Sequence, residues 1–185
     1  MGQCPLNHMP DDLETPGDPN NTTTTTEGLS KTRQTSTIPR ADSPTTWQYP
    51  SEAMFSSALH RKHHPVPATA IPAMLAIHNS LNEQVWREIM ATWESRYDKE
   101  CGEERRLKRF QGRPERWSPL AWWYYVRHGV QPYDRHDWVV ERCGKEVRYV
   151  IDYYESAGDF SCVIRPALDS TSVIWDRLCN YFRGE

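Results

Sequence analysis

DWVVERCGKEVRYVIDYY, residues 137–154, places two runs rich in β-branched and aromatic residues on either side of Cys143-Gly144-Lys145. Such runs around a glycine-containing turn predict a β-hairpin. ESAGD (155–159) is a second turn, and FSCVIRP (160–166) reads as a third strand. The apolar spacing then lengthens. In LDSTSVIWDRLCNYF (168–182), Val173, Ile174, Trp175, Leu178 and Phe182 form one stripe of a closing helix, with Asp169 or Ser170 as its cap.

Upstream of the hairpin, SPLAWWYYVRHG (118–129) predicts a short helix capped by Ser118, with Pro119 at its first position. CGEERRLKRFQGRPERWSP (101–119) is polar and holds Gly and Pro, and reads as a long loop. WQYPSEAMFSSALHRKHH (47–64) carries a helix through Met54, Phe55, Ala58 and Leu59. From Ile71 to Trp93 the pattern is helical again. Ser80 followed by Glu83 matches a capping box, and Asn79, Ser80 and Asn82 all favour caps. The expectation is therefore two helices, one ending near His78 and one starting after Ser80, rather than one bent helix. Together these elements predict an α+β fold, with helices packed on a small antiparallel sheet.

Composition sets the boundary of that fold. Residues 1–46 hold few large apolar side chains and include NNTTTTTEG, whereas all eight tryptophans and nine tyrosines lie from Trp47 onward. Such a segment buries too little apolar surface to offset its ordering entropy, so 1–46 reads as a disordered tail and 47–185 as a single domain. The net charge of −3 argues against a nucleic-acid binder. No apolar run is long enough to span a bilayer, and there is no apolar signal-peptide core. The five cysteines, Cys4, Cys101, Cys143, Cys162 and Cys179, lack paired spacing and read as reduced thiols.

No catalytic triad order, phosphate-binding glycine loop or HExxH motif occurs. Histidines and aromatics remain. By its residues alone, His78 reads as a half-buried histidine bonded to a neighbouring carbonyl. The alternative is an imidazole ligand to iron or zinc, held by Asn82 or Glu83. In YDRHDW (133–138), Asp134 and Asp137 flank His136, which fits a polar turn or an acid–base group. His60, His63 and His64 fit a solvated loop. The aromatics of WSPLAWWYY suit a core, a flat ligand or a protein interface.

Several stretches, in this order, resemble the mitochondrial holocytochrome c synthase (cytochrome c haem lyase) family. They are WQYPSEAMF, IHNSLNEQVWREIMATWE, RFQGRP followed by SP, YDRHDWVVERCGKEVRYVIDYY and RPALDSTSVIWDRL. The resemblance runs from about residue 47 to the C-terminus, making 47–185 a haem lyase domain. It implies covalent attachment of haem to apocytochrome c in the intermembrane space, by a protein peripheral to the inner membrane. Haem b is then a substrate, with its iron preferably reduced. The other partner is apocytochrome c, through its N-terminal helix and CxxCH motif. The resemblance implies that His78 is the axial ligand to the iron, supported by Glu83 and by Asn79 or Asn82. His136 takes a catalytic place of open role. Trp47 and Tyr49 shape the haem pocket, and Arg135 or Arg148 would pair a propionate. Cys4-Pro5 looks like the Cys-Pro haem-regulatory motifs of family tails. One departure is RKHHP, where many relatives carry a Gly-Trp pair after the first helix.

Overall fold

A computed structural model describes residues 28–61, 63–64, 66–101, 105–113, 116–156, 159–169 and 171–183. The hairpin forms as expected. Strands β4 (Asp134–Arg142) and β5 (Lys145–Ser156) pair antiparallel down to Arg142 opposite Lys145, which leaves a two-residue turn. Cys143 and Gly144 both take positive φ, 48° and 71°, as the twist of a tight hairpin demands. β6 (Asp159–Pro166) joins the far side of β5.

A fourth strand, β3 (Arg106–Gly112), pairs with β4. It occupies the stretch 101–119 expected to be a loop. A register shift between Leu107 and Arg109 breaks the period-two pattern, so the buried Leu107 and half-buried Phe110 do not alternate cleanly with the charged residues around them. The sheet order is β3-β4-β5-β6, all antiparallel.

A small second sheet pairs β1 (Thr35–Pro39) with β2 (Thr46–Gln48). This corrects the expected boundary, because the folded region already includes residues assigned to the tail. Ile38 is 2% exposed and belongs to the main core. The threonine-rich sequence is not featureless there: Ser36 and Ile38 alternate inward between Thr35 and Thr37. The part of the expected tail covering residues 1–27 lies outside the described residues.

Helix α1 (Glu52–Arg61) packs on α2 (Ile71–Glu88) through Phe55, Leu59, Ile71 and Leu75. α2 is one continuous helix, not two. It runs on through a π-helical turn, Ile89–Glu94. The expected break fails because the capping groups are used elsewhere. Asn79 is buried, and its amide donates to Gln34 Oε1 at 2.9 Å. Glu83 holds β1. Packing on two apolar clusters outweighs the local preference of Asn and Ser for caps.

Each face of the main sheet has its own cover. Val85, Trp86, Ile89 and Trp93 press on Trp138, Val140, Tyr149 and Ile151 to form the core. On the other face, α3 (Pro119–His128) is capped by Ser118, whose Oγ accepts from the Ala121 N–H at 3.0 Å. The same hydroxyl donates to Asp152 Oδ2 at 2.7 Å, and Arg165 bonds both. α4 (Thr171–Arg183) follows β6, with Val173 in the core.

The end of the long helix is tied to the hairpin in two ways. Glu94, 1% exposed, receives Arg142 at 2.8 Å on each oxygen and Tyr149 OH at 2.6 Å. Cys101 and Cys143 form a disulfide with a Cα–Cα distance of 5.3 Å. The expectation of reduced thiols fails for this pair. Their separation of 42 residues carries no pairing signal, and only the hairpin turn brings Cys143 to the helix end. Cys162 and Cys179 are free thiols. Replacing Cys143 with serine should lower stability by about 2–4 kcal/mol in urea unfolding. Reductant should destabilise the wild type by a similar amount and leave the variant unchanged.

Candidate functional site

His78 sits mid-helix on α2, its ring against Tyr49 and Phe55, with centroids 6.2 and 6.1 Å away. Both ring nitrogens are engaged. The Asn82 amide nitrogen, which can only donate, lies 2.9 Å from Nε2. Nε2 is therefore the acceptor, and Nδ1 carries the proton, directed at Asn79 Oδ1 3.2 Å away. The Asn79 amide is oriented in turn by Gln34. Desolvation pushes the His78 pKa down to about 4, against the opposing pull of the Asn79 bond. A charge on His136 pushes in the same direction and Asp134 opposes it. The ring is a neutral imidazole at physiological pH, with its Nε2 lone pair held by one weak amide donor.

Asn82 is also a wall of an open cleft of about 330 Å³, counting the solvent at its mouth. The other walls include Ile38, Trp47, Tyr49, Leu107, Phe110 and Trp138. Trp47 meets Phe110 edge-on at 5.2 Å, and its indole N–H donates to Leu107 O at 3.2 Å. The cleft therefore lies between the small sheet, α2 and the β3–β4 edge of the main sheet. Aromatic walls of this kind suit a flat ligand.

Glu83 does not touch the imidazole. Its oxygens accept from Ser36 Oγ at 2.6 Å, Thr37 N at 3.1 Å, Tyr49 OH at 2.9 Å and Thr37 Oγ1. It supports the site by fixing Tyr49 and the β1 wall. Asn79 and Asn82 are the side chains that hydrogen-bond His78.

His136 lies within β4 and not in a turn before it, on the same sheet face as Trp138. Its Nε2 is 2.9 Å from Asp134 Oδ2, and its ring packs edge-on against Tyr153 at 5.2 Å. Nδ1 is buried without a hydrogen-bond partner among the described residues. Arg135 and Arg148 do not join the site. Strand alternation turns them to the opposite face, where Arg135 bonds Asp137 and Arg148 bonds Asp137 and Asp169. The expected propionate partners therefore face away from the cleft. His63 and His64 are exposed, as a solvated loop requires. Cys4 lies outside the described residues.

The supporting residues Gln34, Ser36 and Thr37 and the walls Leu107 and Phe110 were not expected at the site. The first three fall in the supposed tail and the last two in the supposed loop. The Thr-Ser-Thr-Ile alternation was the available signal for the first group.

The family model described as cytochrome c/c1 heme lyase matches residues 3–181. This chain belongs to that family. It is 44% identical over 165 residues to the holocytochrome c-type synthase of Bos taurus, covering 81% of this chain and 58% of that one. The holocytochrome c-type synthase of Homo sapiens is 43% identical over 165 residues, covering 81% and 60%. The holocytochrome-c synthase of Saccharomyces cerevisiae is 35% identical over 179 residues, covering 80% and 66%. The chain thus spans about 60% of the length of the first two relatives. No solved structure matches it.

The depressed pKa of His78 has a direct consequence. Between about pH 6.5 and 4 the unfolded chain binds a proton that the folded protein refuses. The His78 contribution is fully present above that window and is lost as pH falls through it. The ligand-free protein should lose up to about 3 kcal/mol there by this route. Denaturant midpoints measured against pH should show the slope, and His78→Gln should flatten it.

Proposed function

We propose that this chain attaches haem covalently to apocytochrome c, as a holocytochrome c-type synthase. The observation that carries the reading is the neutral His78, whose Nε2 accepts from Asn82, a residue that also walls the aromatic cleft. Family membership and the resemblance to named synthases support it. Haem is a substrate, of the b type because the reaction consumes vinyl groups, and its iron is reduced.

His78 binds one face of the iron, after Asn82 has given up the Nε2 lone pair. The histidine of the substrate's CxxCH motif takes the other face. That second bond brings two cysteine thiols to the vinyl groups. Each S–H adds across a C=C bond: sulfur bonds the carbon next to the ring and the proton goes to the terminal carbon. No oxidant or reductant is consumed. Holding the reactants together in this way is worth roughly 7–11 kcal/mol when their orientation is good. The chain needs no nucleophile of its own. Trp47 and Tyr49 shape the pocket, Glu83 positions Tyr49, and Asn79 sets the tautomer of His78. His136 is not a cleft wall and is held beside Asp134 on the core face of β4.

The site of action is the intermembrane space, at the surface of the inner membrane. Two observations support this. The Cys101–Cys143 disulfide suits an oxidising compartment. α3 exposes Trp122, Trp123 and Val126 beside Arg127 and His128, a composition suited to an anionic lipid interface. No described helix is long and apolar enough to cross a membrane.

Co-expression with apocytochrome c should yield haem that survives acid-acetone extraction. His78→Ala should reduce that yield to background and remove the haem absorption band. Haem that is bound but wholly extractable would instead make the chain a carrier or sensor without catalysis. Changing Trp122 and Trp123 together to serine should weaken sedimentation with anionic vesicles about tenfold or more.

A further inference from the structure

α4 holds more apolar surface than its seat on the sheet uses. Val173 turns into the core and is buried. Ile174, Trp175, Leu178, Tyr181 and Phe182 lie along another stripe of the helix and stand exposed. Ile174 and Leu178 are each 45% exposed, Trp175 68%, Tyr181 79% and Phe182 81%. Tyr181 and Phe182 meet edge-on at 5.7 Å and form one continuous aromatic surface. A large aromatic side chain carries roughly 150–250 Å², so the stripe presents on the order of 600 Å². An apolar patch of that size marks a contact surface.

The stripe has a centre. Leu178 lies midway along it, with Trp175 and Tyr181 three residues to either side and Ile174 and Phe182 four residues to either side. At about 3.6 residues per turn these four positions fall symmetrically about the line through Leu178. A surface symmetric about its own midpoint is complementary to itself under a two-fold rotation. Laid antiparallel on a second copy, Leu178 meets Leu178, Trp175 meets Tyr181, and Ile174 meets Phe182. The two helix dipoles then oppose, which is the favourable arrangement. Two such stripes together bury on the order of 1,200 Å², the lower bound for a specific and stable interface.

The charges favour this occupant over a lipid surface. A helix that lies on a membrane carries a polar face dense in lysine and arginine. α4 holds two arginines and one aspartate in its 13 residues. Arg177 is already spent, since its Nε and Nη2 both donate to Pro166 O.

We propose that α4 pairs antiparallel with α4 of a second copy, across a two-fold axis through Leu178, and makes the protein a dimer. The pairing needs no haem and is independent of the haem-attachment reading. It leaves the exposed tryptophans of α3 outside the interface.

The test is sedimentation velocity on the full chain, without detergent, from about 1 to 50 μM. Wild type should sediment at twice the chain mass. Leu178→Glu, which sets two carboxylates face to face on the axis, should weaken association about a hundredfold or more. Changing Trp122 and Trp123 together to serine should leave the mass at that of the dimer. In a Cys179→Ser background, Leu178→Cys should link two copies under mild oxidation. Ile174→Cys should not, because antiparallel pairing sets the two copies of that position about 12 Å apart along the helices. A wild type that is monomeric throughout would overturn the proposal, and so would a Leu178→Glu protein that dimerises as wild type does. Equal linking through both cysteine variants would overturn the antiparallel pairing. A monomer whose binding to anionic vesicles is abolished by Leu178→Glu would give the stripe to lipid instead. If Leu178→Glu fails to fold by circular dichroism, Trp175→Ser with Tyr181→Ser decides, with an expected loss of about thirtyfold or more.

Discussion

One carboxylate holds the cleft together. Glu83 projects from α2 and accepts hydrogen bonds from Ser36, Thr37 and Tyr49. Burial alone would raise its pKa, but these donors outweigh burial and hold it below the usual carboxylate value. That anchor adds to the Gln34–Asn79 bond and the packing of Ile38 in holding β1 along α2, because a five-residue strand pairing with a three-residue one cannot order itself. With it, Ile38 reaches the core, Tyr49 stands against His78, and Trp47 faces Phe110. Most of one side of the cleft therefore hangs on a side chain that never touches the imidazole.

The opposite end of the same helix has a different anchor. The π-helical turn ends at Glu94, which is buried among Arg142, Arg105 and Tyr149. A charge that deep is tolerable only because each oxygen is bonded. Those partners come from the hairpin and from the segment before β3, and the Cys101–Cys143 link joins the same two regions covalently. The helix is thus tied to the small sheet through Glu83 and to the main sheet through Glu94 at the end of the π turn. Asn82 adjoins the first tie, and His78 lies little more than one turn before it.

The hairpin, β6 and the four helical regions were legible because each has strong periodicity or distinctive turn and cap residues. Ser118 and Pro119 announce α3, and Gly144 announces the hairpin turn. What could not be read locally depends on distant partners. Asn79, Ser80 and Glu83 look like a helix start, yet Asn79 serves His78 and Gln34, and Glu83 serves a strand more than forty residues away. β3 was hidden by its bulge and its charges, and β1 by its threonines. His78 was visible only as one of two alternatives. The tautomer, the cleft and the amide on Nε2 all require the packed structure. Arg135 and Arg148 show the same limit: their charge was legible, but the sheet face they occupy was not.

The Asn82 amide occupies the lone pair of His78 that an incoming Lewis acid would need. Any Lewis acid that takes the Nε2 lone pair must first break the 2.9 Å bond, at a cost of about 1 kcal/mol. The same bond re-forms when that acid departs. Capture is weakened and departure is favoured by one equal amount, so the helix carries its own return spring. For the haem attachment proposed above, in which the bound group leaves with the product, that balance would serve better than the tightest grip the imidazole could offer.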